Sequence, residues 1–206
     1  MKAILANATN PAQHCKVLWQ STTFMRAQET ATTWWLTGLP GAGKTTLAQA
    51  LARALRQRGK PVCVIDGDEL RAGLCQDLGF DDASRAENVR RAAHMARLLN
   101  DNAIHGVVAM VSPAVDARAA AYATVGLQRC KEIFVSTPLQ VCEQRDPKGL
   151  YARARVNPLA QMTGVQAAYE TPLAPWLSLD TSVTDVPLAV TQMLACCNTH
   201  PHPLHE

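Results

Sequence analysis

The pattern of apolar and polar positions predicts an alternation of buried strands and amphipathic helices from about residue 33 onward. Short apolar runs fall at 34–37, 61–65, 104–111, 131–135 and 176–179. The segments between them carry apolar residues at helical spacing, as Leu47, Leu51 and Leu55 do within 44–58. Strands that are apolar on both faces and alternate with helices are typical of a parallel sheet covered by helices on both faces. We therefore expect one α/β domain over residues 33–198, with ligands at the carboxyl ends of its strands.

The composition is typical of one compact domain that binds a small ligand. The chain has 206 residues, is 48% hydrophobic and carries a formal charge of +3. That charge is too small for a protein that coats nucleic acid, and clustered arginines suit a small anionic ligand better. No stretch approaches the roughly 20 apolar residues that span a bilayer, and the N-terminus lacks the apolar core of a secretory signal. We expect a cytoplasmic protein without a nucleic-acid or membrane partner.

The two ends of the chain lack the strand and helix pattern. Residues 1–32 show no clear period and are predicted to be an N-terminal extension without a chemical role. Residues 199–206 form a C-terminal tail rich in His and Pro. A soft metal could bind there together with Cys196 and Cys197, but histidines spaced by proline at a terminus are more often solvated. The seven cysteines include no C-x-x-C pair and are expected to be reduced thiols.

A phosphate-binding loop is the strongest chemical motif in the sequence. Residues 38–45 read GLPGAGKT, which fits G-x-x-x-x-G-K-[ST], and they follow a predicted strand and open a predicted helix. Glycines allow backbone N–H groups to surround a triphosphate, Lys44 can reach the β- and γ-phosphates, and Thr45 can bind Mg²⁺. A glycine-rich turn that binds nothing is the alternative. The predicted ATP site comprises Gly38, Leu39, Pro40, Gly41, Ala42, Gly43, Lys44, Thr45 and Thr46.

Two carboxylates follow the second predicted strand. Asp66 and Asp68 belong to the sequence DGDELR at 66–71, beside the expected position of the phosphate-binding loop. One can hold Mg²⁺ or its waters, and the other can accept the proton of an acceptor hydroxyl. We assign Asp66 to the metal and Asp68 to the base, although the sequence also allows the exchanged roles. The alternative is a strand-terminal turn in which an Asp caps the next helix.

The order of the motifs resembles the adenylylsulfate kinase family. The matching segments are GLPGAGKTT at 38–46, DGDELR at 66–71, DLGF at 77–80, ENVRR at 87–91, Ser112-Pro113 and the run from Phe134 to Tyr151. The resemblance covers about residues 34–180. It implies a P-loop kinase-like fold with a closing lid, and transfer of phosphate from ATP, with Mg²⁺, to the 3′-hydroxyl of adenylylsulfate in sulfate assimilation.

The resemblance also implies an acceptor site and one candidate nucleophile. Arg71 and Arg85 would bind the phosphosulfate, Phe80 would stack on the adenine, and Asn88 would hydrogen-bond the nucleotide. The family pattern places a phosphoserine intermediate at Ser112, but direct in-line transfer needs no covalent enzyme and is the mechanism we favour. The residues implied to bind adenylylsulfate are Arg71, Phe80, Arg85, Asn88, Val111, Lys148, Gly149 and Leu150.

A long segment and three substitutions leave the identity of the acceptor open. Residues 146–169, here named the lid segment, show no clear periodicity and are long enough to close over both nucleotides. Glu69, Val115 and Met162 stand where the family usually has Asn, Arg and an aromatic residue. At Met162 a flexible thioether would then replace one half of an adenine sandwich. These departures favour two alternatives: a related small-molecule kinase with a changed acceptor, and a nucleotide-binding partner subunit with little catalysis. The expected partners are ATP and adenylylsulfate, with a homodimer or an association with a sulfate-activating enzyme also considered.

Overall fold

Five parallel strands form the centre of the protein. The computed structural model describes residues 30–157 and 162–195. Within these ranges the strands are β1 Thr33–Thr37, β2 Val62–Asp66, β3 His105–Ala109, β4 Cys130–Val135 and β5 Leu177–Leu179. They lie in the order β2-β3-β1-β4-β5, and every neighbouring pair is parallel. The predicted α/β class and the strands are confirmed, and the loop that follows β1 leaves the middle of the sheet.

Helices connect the strands. In the described ranges they are α1 Lys44–Gln57, α2 Gly67–Ala72, α3 Asp82–Asp101, α4 Val115–Val125, α5 Leu139–Arg145, α6 Leu150–Val156 and α7 Val186–Ala195. The helices predicted from apolar spacing are confirmed. The lid segment showed no clear periodicity in the sequence, but it contains the helix α6. Only Tyr151 and Ala154 of this short helix are buried, which is too few apolar positions to establish a period.

The sheet has a hydrophobic core on each face. On one face, α1 and α7 cover Trp34 and Leu36 of β1. On the other face, α3 and α4 cover Trp35. Successive side chains of a strand point to opposite faces, so the sequence WWL supplies both cores at once. Both indoles are fully buried, and truncating either to alanine would cost about 3–5 kcal/mol.

The local sequence fixes where the two helices after β2 begin. Asp66 precedes α2, and its side chain accepts the backbone N–H of Asp68. Asp81 precedes α3 and accepts both the backbone N–H and the hydroxyl of Ser84. These carboxylates satisfy N–H groups that a helix start leaves unpaired. The helix cap that the sequence offered as an alternative role is therefore present at Asp66.

The described chain begins slightly before the predicted domain boundary. Ala31 is buried, and the backbone N–H of Thr32 donates to Nδ1 of His105 at 3.0 Å. Most of the predicted N-terminal extension, the His-rich tail, and also Cys196 and Cys197 lie outside the described residues. In the part of the chain that the structure describes, Cys63, Cys75, Cys130 and Cys142 are free thiols. In the same part, no helix combines the length and apolar character needed to cross a bilayer.

Candidate active site

The phosphate-binding loop connects β1 to α1 and depends on its glycines. Gly38 has φ +144°, and a Cβ there would lie 2.5 Å from the carbonyl oxygen of Val135. Gly41 has φ +76°, and a Cβ there would lie 2.8 Å from the carbonyl oxygen of Cys142. Side chains cannot occupy either position without moving neighbouring backbone. Because no side chain caps the start of α1, the first N–H groups of that helix remain available to an anion.

Lys44 is buried beneath this loop. Its Nζ donates hydrogen bonds of 2.8 Å to the carbonyl oxygens of Gly38 and Leu39. Burial lowers the pKa of Lys44 to about 8, and the nearby carboxylates of Asp66 and Asp68 oppose that change. A phosphate in the loop would add negative charge and would therefore favour the ammonium form. The position suits a cation that contacts a bound polyphosphate.

Thr45 and Asp66 form a pair of oxygen ligands at the start of α1. The Thr45 hydroxyl donates to Oδ2 of Asp66 at 2.7 Å, while Oδ1 of Asp66 accepts the Asp68 N–H at 2.9 Å. Asp66 therefore caps α2 and also faces the phosphate-binding loop. The interpretations of this residue as a helix cap and as a metal ligand are thus compatible. Oxygen donors of this kind suit Mg²⁺, which usually takes only one or two protein carboxylates. Residues 30–157 and 162–195 contain no cluster of three or more His, Cys, Asp or Glu side chains that could hold a metal.

Asp68 lies on the solvent side of the same turn. Its carboxylate is exposed and forms an ion pair with Lys148, the first of the predicted acceptor residues in the lid segment. This contact joins α2 to the lid segment across the mouth of the phosphate-binding loop. A carboxylate in this position is accessible to an acceptor hydroxyl, as general base catalysis requires.

Arg71, Phe80 and Arg85 form one cluster. The guanidinium of Arg71 lies 4.4 Å from the centre of the Phe80 ring and donates to the carbonyl oxygen of Gly79 at 2.7 Å. Arg85 donates from Nε to the carbonyl oxygen of Phe80 at 2.6 Å and contacts Thr163 of the lid segment. Phe80 itself is 63% exposed. An exposed aromatic ring with one arginine over it and a second bound to its backbone offers a flat surface and positive charge to an anionic nucleotide.

Asn88 presents a buried acceptor without a partner. It lies on α3, is 4% exposed, and its Oδ1 accepts no hydrogen bond from the described part of the chain. An unsatisfied buried amide of this kind costs about 1–3 kcal/mol. Native proteins rarely retain such a group without a ligand, a water or a functional reason. The side chain is therefore suited to accept a hydrogen bond from a bound ligand.

Val111 and Ser112 form a fixed turn after β3. The carbonyl oxygen of Val111 accepts the Thr37 hydroxyl at 2.7 Å. Ser112 is buried, has φ +44°, and its Oγ accepts the indole N–H of Trp35 at 3.1 Å. A shielded hydroxyl that is already hydrogen-bonded is poorly placed to attack ATP. This geometry favours direct transfer over a phosphoserine at Ser112, which we now regard as a structural residue.

The lid segment is attached to the phosphate-binding loop by residues that the sequence interpretation missed. The Tyr151 hydroxyl donates to the carbonyl oxygen of Pro40 at 3.0 Å, and burial raises the pKa of Tyr151. The Asp146 carboxylate accepts the N–H groups of Tyr151 and Ala152, at 3.1 and 3.0 Å. Gly149, with φ +61°, allows the turn into α6. The D-P-K-G-L-Y order was the available signal, because an Asp shortly before a helix commonly caps it.

The three departures from the family pattern lie in different environments. Met162 is buried in the same core as Tyr151 and Ala154, which contradicts the expectation that its thioether replaces half of an adenine sandwich. An apolar thioether in contact with core side chains has no need of a ligand. Glu69 is exposed on α2. Val115 begins α4, and its backbone N–H donates to Oε2 of Glu170 at 2.5 Å.

Comparison with known proteins agrees with this site. A sequence model of the adenylylsulphate kinase family matches residues 30–180. An adenylyl-sulfate kinase from Pseudomonas aeruginosa is 43% identical over 166 residues, which are 81% of this chain and 85% of that protein. Among solved structures, a Mycobacterium tuberculosis APS kinase in complex with AMPPNP and APS is 40% identical, with a TM-score of 0.78. That match covers 82% of this chain and 99% of the solved chain.

Other solved structures are less similar in sequence, and some share only the fold. A hexameric APS kinase from Thiobacillus denitrificans is 29% identical with a TM-score of 0.63, and the match covers 88% of this chain but 32% of that longer chain. A gluconokinase from Sinorhizobium meliloti is 16% identical with a TM-score of 0.57, which is a likeness of fold alone. The family match spans most of the chain and includes every motif that forms the phosphate-binding loop and its neighbouring carboxylates. The chain therefore belongs to the adenylylsulfate kinase family.

Proposed function

We propose that this protein transfers the γ-phosphoryl group of ATP to the 3′-hydroxyl of adenylylsulfate, giving 3′-phosphoadenylylsulfate and ADP. The observation that carries the proposal is the site at the end of β1. There, Lys44 and the start of α1 form an anion site beside the Thr45–Asp66 pair, in a chain of the adenylylsulfate kinase family. The relative solved with AMPPNP and APS supports both substrates.

The donor half of the site is the phosphate-binding loop, residues 38–46. Its backbone N–H groups bind the phosphates of ATP, and the Lys44 ammonium stabilises the charge that develops on the transferred group. The hydrogen bonds from Lys44 to Gly38 and Leu39 must be exchanged, at least in part, for bonds to phosphate oxygen. Because these charged donors are already in place, the reaction requires little free energy to reorganise them. The loop therefore stabilises the transition state.

The Thr45 hydroxyl and the Asp66 carboxylate are the residues that would hold Mg²⁺. They fit a hard cation, because both offer oxygen atoms and their separation of 2.7 Å places these atoms together beside the loop. When bound, Mg²⁺ would neutralise negative charge on the phosphates. Asp66 keeps its orientation because its second oxygen accepts the Asp68 N–H.

The acceptor half of the site lies between α2, α3 and the lid segment. Arg71 and Arg85 supply positive charge for the phosphosulfate, and Phe80 supplies an exposed ring for the adenine. Asn88 supplies the unsatisfied amide oxygen. The backbone at Val111 and the sequence Lys148-Gly149-Leu150 complete the proposed binding set. Asp68 then accepts the proton of the 3′-hydroxyl, after its ion pair with Lys148 has opened or moved.

A changed acceptor is the second candidate function. It is favoured by Val115, which offers no charge at a place where the family usually has Arg, and by the exposed carboxylate of Glu69. Val115 lacks a positive charge and Glu69 adds a negative one. Both departures therefore reduce the electrostatic attraction for the anionic adenylylsulfate. The chain is proposed to act alone or as a homo-oligomer. Association with a sulfate-activating enzyme and a cytoplasmic location stay predictions.

Acceptor selectivity tests the proposal. Purified protein is mixed with Mg·ATP and a panel of acceptors that includes adenylylsulfate, AMP, simple sugars and gluconate, and ADP release is measured. We expect adenylylsulfate to be turned over much faster than any other acceptor. Faster turnover of another acceptor would support the changed-acceptor candidate. An absence of turnover with every acceptor would support the partner subunit with little catalysis.

A further inference from the structure

Arg118 is a buried arginine to which the site described above gives no role. It lies on α4, is 2% exposed, and is surrounded in sequence by alanines. An arginine is rarely buried to this extent unless its donors are satisfied by specific partners. Its guanidinium donates to Oε1 of Glu132 at 3.1 Å and to the carbonyl oxygens of Ser112, Pro113 and Glu170 at 2.7, 3.0 and 2.7 Å.

These acceptors belong to separate parts of the chain that border the active site. Ser112 and Pro113 follow β3 on the acceptor side, and Glu170 immediately follows the lid segment. The two parts also contact each other, because the Glu170 N–H donates to the carbonyl oxygen of Pro113 at 3.0 Å. The Glu170 carboxylate accepts the Val115 N–H at 2.5 Å. Arg118 is therefore at the junction between the turn after β3 and the end of the lid segment.

The junction extends to the strand that leads into the phosphate-binding loop. Thr37, the last residue of β1, donates its hydroxyl to the carbonyl oxygen of Val111 and is 2.9 Å from the Tyr169 hydroxyl. The Tyr169 ring is stacked on Phe134 at 6.0 Å between ring centres, and the Arg118 guanidinium lies 5.7 Å from the Tyr169 ring. One set of contacts thus connects the phosphate-binding loop, the turn at Ser112 and Pro113 (the acceptor-side turn) and the lid segment.

The backbone at Ser112, within this junction, needs a partner from another part of the chain to hold its conformation. Ser112 has φ +44°, a conformation that a residue with a side chain seldom adopts. Such a residue persists only when its surroundings hold it, and Arg118 binds the carbonyl oxygen of this residue directly. The planar guanidinium reaches four oxygen atoms in several directions, which the ammonium of lysine cannot do.

We propose that Arg118 is a positioning residue for phosphoryl transfer. It fixes the turn at Ser112 and Pro113 relative to Glu170, and so holds the adjoining Val111 backbone of the proposed acceptor site in one position. This inference rests on the proposed function, and it assigns Arg118 no contact with either substrate. Loss of the guanidinium should therefore weaken productive binding of the acceptor more than that of ATP.

Steady-state kinetics of Arg118→Lys tests the inference. The KM for adenylylsulfate should rise about tenfold, because the loss of one hydrogen bond from a charged donor is sufficient for a change of this size. The KM for ATP should stay within about twofold of the parent value. The matched control is Arg129→Lys, which alters an exposed ion pair with Asp101 and should leave both KM values unchanged. A purely structural arginine would lower the melting temperature and the active fraction without changing either KM.

Glu170→Ala provides a second test if Arg118→Lys does not fold. Glu170 is exposed, and its substitution removes the acceptor of the Val115 N–H while leaving its own carbonyl oxygen available to Arg118. The KM for adenylylsulfate should rise about threefold, again without a change for ATP. Unchanged KM values in each folded variant would overturn the inference. The parent protein is assayed first, because a parent without turnover of adenylylsulfate would contradict the proposed function itself rather than the role of Arg118.

Discussion

Replacing Lys44 by methionine should separate the chemical role of its ammonium from the cost of burying it. Methionine keeps an unbranched, flexible apolar side chain and removes the charge. The ammonium acts where negative charge develops on the transferred phosphoryl group, and loss of one such electrostatic contact typically lowers kcat by about 10²–10³-fold. We expect Lys44→Met to lose transfer activity at least to this extent while keeping its fold.

The magnitude of the folding effect follows from the pKa of Lys44. Burial lowers this pKa from its ordinary value of 10.5 to about 8. The unfolded chain therefore binds the proton more tightly, and the resulting cost to stability is fully present below pH 8 and is lost as the pH rises toward 10.5. A change of this size corresponds to about 3 kcal/mol at neutral pH, of which about 2 kcal/mol disappears between pH 7 and pH 9.5.

Urea unfolding of the nucleotide-free protein at pH 7 and pH 9.5 measures this effect. The free energy of unfolding of the parent should increase by about 2 kcal/mol relative to that of Lys44→Met over this interval. The part of the bonds to Gly38 and Leu39 that depends on protonation is already contained in the pKa of Lys44, and the part that does not depend on pH cancels in the comparison. Arg53→Met is the matched control, because it replaces an exposed cation of the same helix by methionine. A pH-independent difference between parent and Lys44→Met would refute the reasoning.

Three further substitutions test other parts of the site. Asp68→Asn should lower kcat by about 10²-fold or more with little change in the KM for ATP, and a change confined to KM would argue against a base at this position. Arg85→Lys should weaken adenylylsulfate binding about ten- to a hundredfold in calorimetric titrations with ADP present, because lysine cannot reproduce the paired hydrogen bonds of a guanidinium. If Arg85→Lys instead weakened ATP binding and left the affinity for adenylylsulfate unchanged, the assignment of Arg85 to the acceptor half of the site would be wrong. Met162→Phe should lower the free energy of unfolding by about 1–3 kcal/mol through overpacking, and tighter acceptor binding without destabilisation would contradict the buried position of this side chain.

Local patterns in the sequence were sufficient to predict the sheet and the loop between β1 and α1. The apolar runs at 34–37 and 131–135 correspond to strands because both faces of the sheet are covered. The motif at 38–45 correctly placed a loop between a strand and a helix, because its residues and their spacing lie together in the sequence. The backbone that Gly38 and Gly41 approach belongs to Val135 and Cys142 and is seen only in the folded chain. Asp66 was also found, because the cap of α2 is a local interaction.

Contacts between distant parts of the chain could not be predicted in this way. Arg118 appears in the sequence as one charge on an alanine-rich helix, and its partners at 132 and 170 become visible only in the folded chain. Met162 was interpreted from a family pattern, but packing against α6 decides its position. The shielding of Ser112 likewise depends on Trp35, which lies far away in sequence. Residues whose roles depend on tertiary packing carry little signal in a single sequence.

The position of the transferred phosphate tests the central claim most directly. The purified protein is incubated with Mg·ATP and adenylylsulfate, ADP is quantified, and the nucleotide product is analysed by phosphorus and proton NMR. We predict one ADP for each molecule of product, with the new phosphate on the 3′-oxygen and the phosphosulfate intact. Release of ADP without a 3′-phosphorylated nucleotide, or phosphate at any other position of the acceptor, would contradict the account.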